Sequence, residues 1–285
     1  MRNIFFTLCT LLPCLLYSQA PIATQTNVAS TSKTKFIQVG AGFDNAYFTD
    51  FATSALPYST SAMRFDLAFL RSSARRETKM YFGFSSATFK LVADQQTFGS
   101  TVNTPYLAYT RLYQVPLKLG EKWNFKLGGS LDITGNMRMN PGLQNNAFGL
   151  EMFNTLFGSA KMSYDISRKK EKQGRFLLIS YHLKPKTRIL SHQLNLPLMN
   201  NTYRNGYAYT NASTISNQTR LTDGYQYHAF SGFRMSSALH YDLYYPNGNI
   251  LRLGYNWEAY RTAGDFDRFQ MAHHYFQLAL LFKTN

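Results

Sequence analysis

The sequence predicts an all-β fold: a single transmembrane antiparallel up-and-down β-barrel. Three observations carry that prediction. From Lys35 onward, segment after segment alternates large apolar residues with small or polar ones, which puts one residue set on each face of a strand. The connections between these segments alternate longer and shorter, as spanning barrels distribute outer loops and inner turns. The chain also carries 20 Tyr and 23 Phe against 2 Trp, an aromatic load that membrane barrels use at both interfaces.

The first element is a leader. Residues 1–20, MRNIFFTLCTLLPCLLYSQA, hold one Arg, an apolar run and small residues at Ser18 and Ala20. That is the pattern of a secretory signal peptide cleaved after Ala20, too short to span as a helix. Cys9 and Cys14 both lie inside it, and Pro13 before Cys14 argues against a lipoprotein. The mature chain is therefore expected to have no disulfide, so that burial or lipid must stabilise it. Residues 21–34 read as a flexible lead-in, and 35–285 as the barrel.

Along the barrel, longer connections are expected at 49–61, 92–103 and 136–149, with shorter ones at 72–76, at Gly120-Glu121 and at the basic run SRKKEKQG. The stretch 184–225 follows, then a tight hairpin at PNGN (246–249) and the loop TAGDFDR. The strand count turns on 184–225. If TRILSHQLNLPL and YAYTNAST are both strands, the count is twelve, the favoured number; if neither is, it is ten, with one large outer loop. Either number is even and returns both termini to the same side, the periplasmic one. Strands of about 9–11 residues suffice to span.

Lys and Arg outnumber Asp and Glu 30 to 15, for a net charge of +15. In an exported protein this charge fits anionic lipopolysaccharide or other acidic surface polymers, or simply a solvated basic surface, and not nucleic acid. No loop for a dinucleotide or phosphate is recognisable, and no cofactor or metal is expected. The GAGF run at 40–43 lies inside an alternating strand, where its glycines permit curvature or close lumenal packing. The RKKEK run at 168–172 reads as a solvated turn.

The last segment, HHYFQLALLFKTN, resembles the closing strand of Gram-negative outer-membrane β-barrel proteins, which alternates apolar residues and finishes on an aromatic. Tyr275, Phe276, Leu278, Leu280 and Phe282 match that pattern, and Lys283-Thr284-Asn285 after the aromatic depart from it. The resemblance implies recognition by the outer-membrane assembly machinery, outer-membrane lipid as surroundings, and other outer-membrane or periplasmic proteins as possible partners. In this strand Phe276, Leu278, Leu280 and Phe282 are expected to face lipid, and Tyr275 and Gln277 the lumen.

If the polar faces point inward, the lumen holds Arg64, Asp66, Arg111, Lys126, Asp132, Glu151, Lys161, Arg234, Asp242, Arg252 and Glu258. Buried charges must be paired or they cost several kcal/mol each, so a salt-bridged plug is expected. The alternative is a narrow polar pathway whose charges tune selectivity. A surface hydrolase is the further alternative. Ser236, Ser237 and His240 lie close in sequence, but residues four apart along a strand stand ~13 Å apart and form no dyad by themselves. His273 and His274 alternate faces and do not share a metal. The expected role is therefore non-enzymatic, structural or binding, exerted through outer loops or within a membrane complex.

Overall fold

The computed structural model describes residues 33–52, 54–93, 96–117, 120–141, 148–168, 170–176, 179–205, 225–264 and 268–284. The expected signal peptide, almost all of the lead-in and the YAYTNAST segment lie outside the described residues. The period-two pattern becomes a wall of staves: β1 (Thr34–Asp50), β2 (Ser54–Ser72), β3 (Arg76–Ala93), β4 (Gln96–Gln114), β5 (Trp123–Met139) and β6 (Phe148–Asp165). A small hairpin follows, β7 (Lys172–Phe176) and β8 (Ile179–Leu183), and then β9 (Arg188–Asn205). The short β10 (Tyr225–His228), β11 (Phe233–Tyr244), β12 (Ile250–Arg261) and β13 (Phe269–Thr284) complete the chain.

Each stave pairs antiparallel with its neighbours, β6 pairs with β9, and β13 returns to β1, so ten strands close into a barrel. Closure removes the free edges that an open sheet would expose. Lys35 stands opposite Thr284 and Asp50 opposite Phe269, so both described chain ends leave from one end of the barrel. That end is called the terminal end below, and the opposite one the loop end.

The favoured count of twelve is corrected to ten. TRILSHQLNLPL does form a stave, as part of β9, but the alternating stretch before it folds into the β7–β8 hairpin, which pairs only with itself. The staves are also longer than a span requires, 12 to 19 residues. Much of what reads as outer loop at 49–61 and 136–149 is strand, and the longer-then-shorter rhythm of connections does not survive. The link 51–53 is as short as 73–75, while 166–187 at the terminal end is long enough to hold the hairpin.

The faces explain these long staves. On β2 the outward residues are apolar from Phe69 to Met63 and polar at Ser61 and Ser59, while inward Asp66 and Arg64 give way to Ala62 and Tyr58. On β3 the same exchange turns Phe82 and Phe84 into Ser86, Thr88 and Lys90 outside, with Phe89 inside. The wall thus has an apolar outer belt around a polar interior, and a loop-end extension in which the polarity is inverted.

Two local features shape the wall. In GAGF, a Cβ on Gly40 would stand 2.5 Å from the Asp66 carboxylate, and one on Gly42 would meet the Phe276 carbonyl. These glycines therefore serve close packing against the lumen and the neighbouring strand. Between β9 and β11 the ladder is interrupted. β11 pairs with residues 188–195 of β9, and β10 takes up the same edge only at 202–205. In the gap, Phe230 and Gly232 have φ of 51° and 78°, and one backbone bond, from Ser231 N–H to the Asn200 carbonyl at 2.7 Å, stands beside two bonds to Asn side chains. Asn200 donates to the Ser231 carbonyl at 2.7 Å, and Asn201 accepts from the Phe230 N–H at 2.9 Å.

Candidate functional site

The bore is the natural place to look for chemistry, and it is filled in layers. At the loop end Asp50 accepts from Arg138 at 2.5 Å and from Arg204 at 3.0 Å, and Arg138 also donates to Glu151 at 3.2 Å. These four groups come from β1, β5, β9 and β6, so the cluster ties opposite walls together. All four side chains are almost fully buried, where a paired charge is tolerated and a single one is not.

Beneath it lies an apolar core. Phe48 stacks on Tyr58 with centroids 5.0 Å apart, meets Phe89 edge-on at 5.0 Å and lies beside Phe269 at 5.8 Å. Phe153 and Tyr260 adjoin at 4.5 Å, and Ala46, Val102 and Met271 complete the cluster. This core sits inside the inverted part of the wall.

The middle of the bore is polar. His273 Nδ1 lies 3.0 Å from Asp44 Oδ2, with the Tyr260 and Tyr106 hydroxyls 3.3 and 3.4 Å from its Nε2. The Arg64 guanidinium stands over Tyr106 at 3.6 Å and near Tyr275 at 4.8 Å, a cation–π stack. Arg234 donates to Glu258 at 2.5 Å and to Thr134 at 2.6 Å, and Asp132 accepts from Ser130. A cavity of about 130 Å³ remains among Arg64, Lys79, Asp132, His240 and Glu258, room for a few waters.

Toward the terminal end, Asp66 accepts from Tyr275 at 2.6 Å, Gln277 at 2.7 Å and Gln38 at 2.9 Å. Arg252 grips Asp242 through two bonds of 2.7 Å, the bidentate geometry that makes such pairs strong. Glu77 takes Lys161 at 2.6 Å and Lys126 at 3.4 Å. A second apolar cluster of Phe36, Leu70, Ile250, Ala279 and Leu281 lines the β12–β13–β1–β2 side of the bore beside it.

Of the eleven charges expected in the lumen, ten lie inside the barrel: Arg64, Asp66, Lys126, Asp132, Glu151, Lys161, Arg234, Asp242, Arg252 and Glu258. Arg111 does not. It is exposed on the outer face between Tyr109 and Tyr113, while its neighbour Leu112 is fully buried. The alternation of β4 forces this placement, because Tyr106 and Leu112 occupy the inward positions. Phe276, Leu278, Leu280 and Phe282 all lie on the outer face, 45 to 54% exposed, and Tyr275 and Gln277 are buried inside. Asp44, Asp50, Glu77, Arg138 and Arg204 join the interior network without having been singled out from the sequence.

The hydroxyl and imidazole groups pair differently from any sequence-local arrangement. His240 is buried in the bore, whereas His192 Nε2 meets Ser237 Oγ at 2.8 Å on the outer face. That contact has hydrogen-bond length, but among the described residues no carboxylate or amide bonds the other imidazole nitrogen, so the orienting third member of a triad is missing. Among the described residues no group of three His, Cys, Asp or Glu side chains is placed to hold a metal ion.

No family model matches this sequence, and no curated protein matches it. Among solved structures, it is similar to the translocator domain of the autotransporter NalP from Neisseria meningitidis. That likeness has 9% identity and a TM-score of 0.40, and covers 98% of this chain and 97% of that one. The transport unit of the autotransporter AIDA-I from Escherichia coli gives 8% identity and a TM-score of 0.40, over 97% and 96% of the two chains. The Pseudomonas putida toluene transporter TodX gives 10% and 0.30, over 91% and 92%. The barrel is established by the closed ladder itself and not by these likenesses.

Proposed function

We propose that this chain is an outer-membrane β-barrel of a Gram-negative bacterium, with a sealed bore and both termini periplasmic. Its role is non-enzymatic, structural or binding, exerted at its rims or as a subunit of an outer-membrane complex. The observation that carries the sealed-bore reading is the layered filling: an apolar core toward the loop end, paired charges below it, and an apolar side wall beside the Glu77–lysine cluster toward the terminal end. A solute pathway needs a continuous wet route, and apolar constrictions block one by dewetting. The membrane reading is supported by the outward apolar belt, by the leader pattern and by the closing strand's resemblance to its outer-membrane counterparts. Outer-membrane lipid, lipopolysaccharide and the assembly machinery are the surroundings this reading implies.

In planar bilayers the purified protein is expected to give no stepwise conductance. Steps that change with Arg252→Ser, a substitution inside the bore, would overturn the sealed-bore reading. The non-enzymatic reading has its own test. Phospholipid or peptide turnover by the purified protein that disappears with His192→Ala would replace it with a hydrolase at the His192–Ser237 contact.

A further inference from the structure

The outer face at the terminal end carries two adjacent rows of side chains that run across four staves. Lys35 pairs with Arg71, Arg71 with Thr78, and Thr78 with Arg111. The next outward row is Ile37, Phe69, Met80 and Tyr109, also paired in sequence across the same staves. Arg76 adjoins the basic row opposite Tyr113. An open groove of about 650 Å³ runs over both rows.

This arrangement is electrostatically unfavourable by itself. Like charges directly opposite one another on two strands repel, and Lys35 faces Arg71 in that way. Among the described residues none of Lys35, Arg71, Arg76 and Arg111 forms an ion pair, and the acids nearest in sequence to Lys35, Arg71 and Arg76, namely Asp44, Asp66 and Glu77, are all buried in the bore. A bound anion would convert the repulsion into attraction. The flanking row says what that anion carries with it: two residues further along β1, β2 and β4, the wall is apolar and exposed.

We infer that this surface is a binding site for an anionic glycerophospholipid. The phosphate lies along Lys35, Arg71 and Arg111, and an acyl chain lies against Ile37, Phe69 and Met80. Arginine guanidiniums match phosphate oxygens in bidentate geometry. Each cation lies within four residues of its strand's terminal-end limit, so the charges sit at the rim where headgroups lie and the belt begins beyond them. Phospholipid is the chosen source over lipopolysaccharide because the site is at the end from which both termini leave, the periplasmic end under the proposed orientation. The site rests on the membrane reading above.

The test uses the full mature chain in vesicles of phosphatidylcholine and phosphatidylglycerol in equal amounts, extracted gently and weighed by native mass spectrometry. Phosphatidylglycerol is expected to stay bound in preference to phosphatidylcholine. The preference should fall by about fivefold for each cation removed in Arg71→Gln and Arg111→Gln, as expected for basic groups at an anionic surface. Arg168→Gln with Lys186→Gln, which removes terminal-end charge away from the rows, should leave the preference intact; an equal loss in that control would overturn the site. Retention of lipid A in place of phosphatidylglycerol, in a parallel mixture, would overturn it as well. Insertion into the vesicles without any lipid preference defeats the site alone. Failure to insert even into pure phosphatidylcholine defeats the membrane reading, and the site with it.

Discussion

Glu77→Gln is expected to destabilise the barrel by about 3–5 kcal/mol, the cost of leaving a buried charge without its partner. Glu77 is the carboxylate between Lys161 at 2.6 Å and Lys126 at 3.4 Å, and all three side chains are nearly excluded from solvent. The substitution keeps the shape and removes the charge, so two ammonium groups lose their counter-ion together. Heat-modified migration in detergent gels reads the effect as a lower temperature for the folded-to-unfolded shift. Adding Lys161→Met to Glu77→Gln should recover part of the loss, because the second change removes one of the stranded charges. A single variant as stable as the parent would show that water reaches these lysines and that the bore is wetter than its packing indicates.

Phe48→Ala is expected to cost about 3–5 kcal/mol, the usual range for emptying an aromatic site in a core. Phe48 touches Tyr58, Phe89 and Phe269 and is 2% exposed. Phe43, five residues earlier on the same strand, is 62% exposed on the outer belt, and Phe43→Ala should cost far less because no cavity forms. Urea unfolding of both variants in the same lipid or detergent gives the comparison. Equal losses would mean that the loop-end extension is not a core in its own right.

The belt and its polar lining were legible because one rule, apolar outward and polar inward, holds over 63–67, 239–243, 251–258 and 276–278. Arg64, Asp66, Asp242 and Arg252 were found that way. The rule fails where the wall leaves the belt. Beyond Met63 and Phe84 the apolar residues move to the inside, as Tyr58 and Phe89 show, and the outside becomes serine and threonine. Read with a fixed rule, that exchange looks like the end of a strand. Asp50 and Arg138 therefore fell in apparent loops, and Arg204 in a stretch whose status was open, so of the loop-end ion cluster only Glu151 was expected. Glu77 needed only the alternation of β3 to be carried two residues below Lys79. Arg111 misled for another reason: a guanidinium at a membrane rim can keep its head in water while its stem lies on apolar surface, so polarity alone does not fix its face. The strand count needed pairing information, since the β7–β8 hairpin and a true stave have the same local pattern.

The interrupted ladder between β9 and β11 gives the ring a preferred order of coming apart. Most seams are held by files of backbone hydrogen bonds with shorter breaks, such as those at 60–63 of β2 and 104–105 of β4, and loosening one bond leaves its neighbours in place. At Phe230–Gly232 the break is longer, spanning 196–201 of β9, and two asparagine side chains and one backbone bond from Ser231 N–H to the Asn200 carbonyl bridge it. A cylinder opens first along its longest such break, into a curved sheet, rather than collapsing everywhere together.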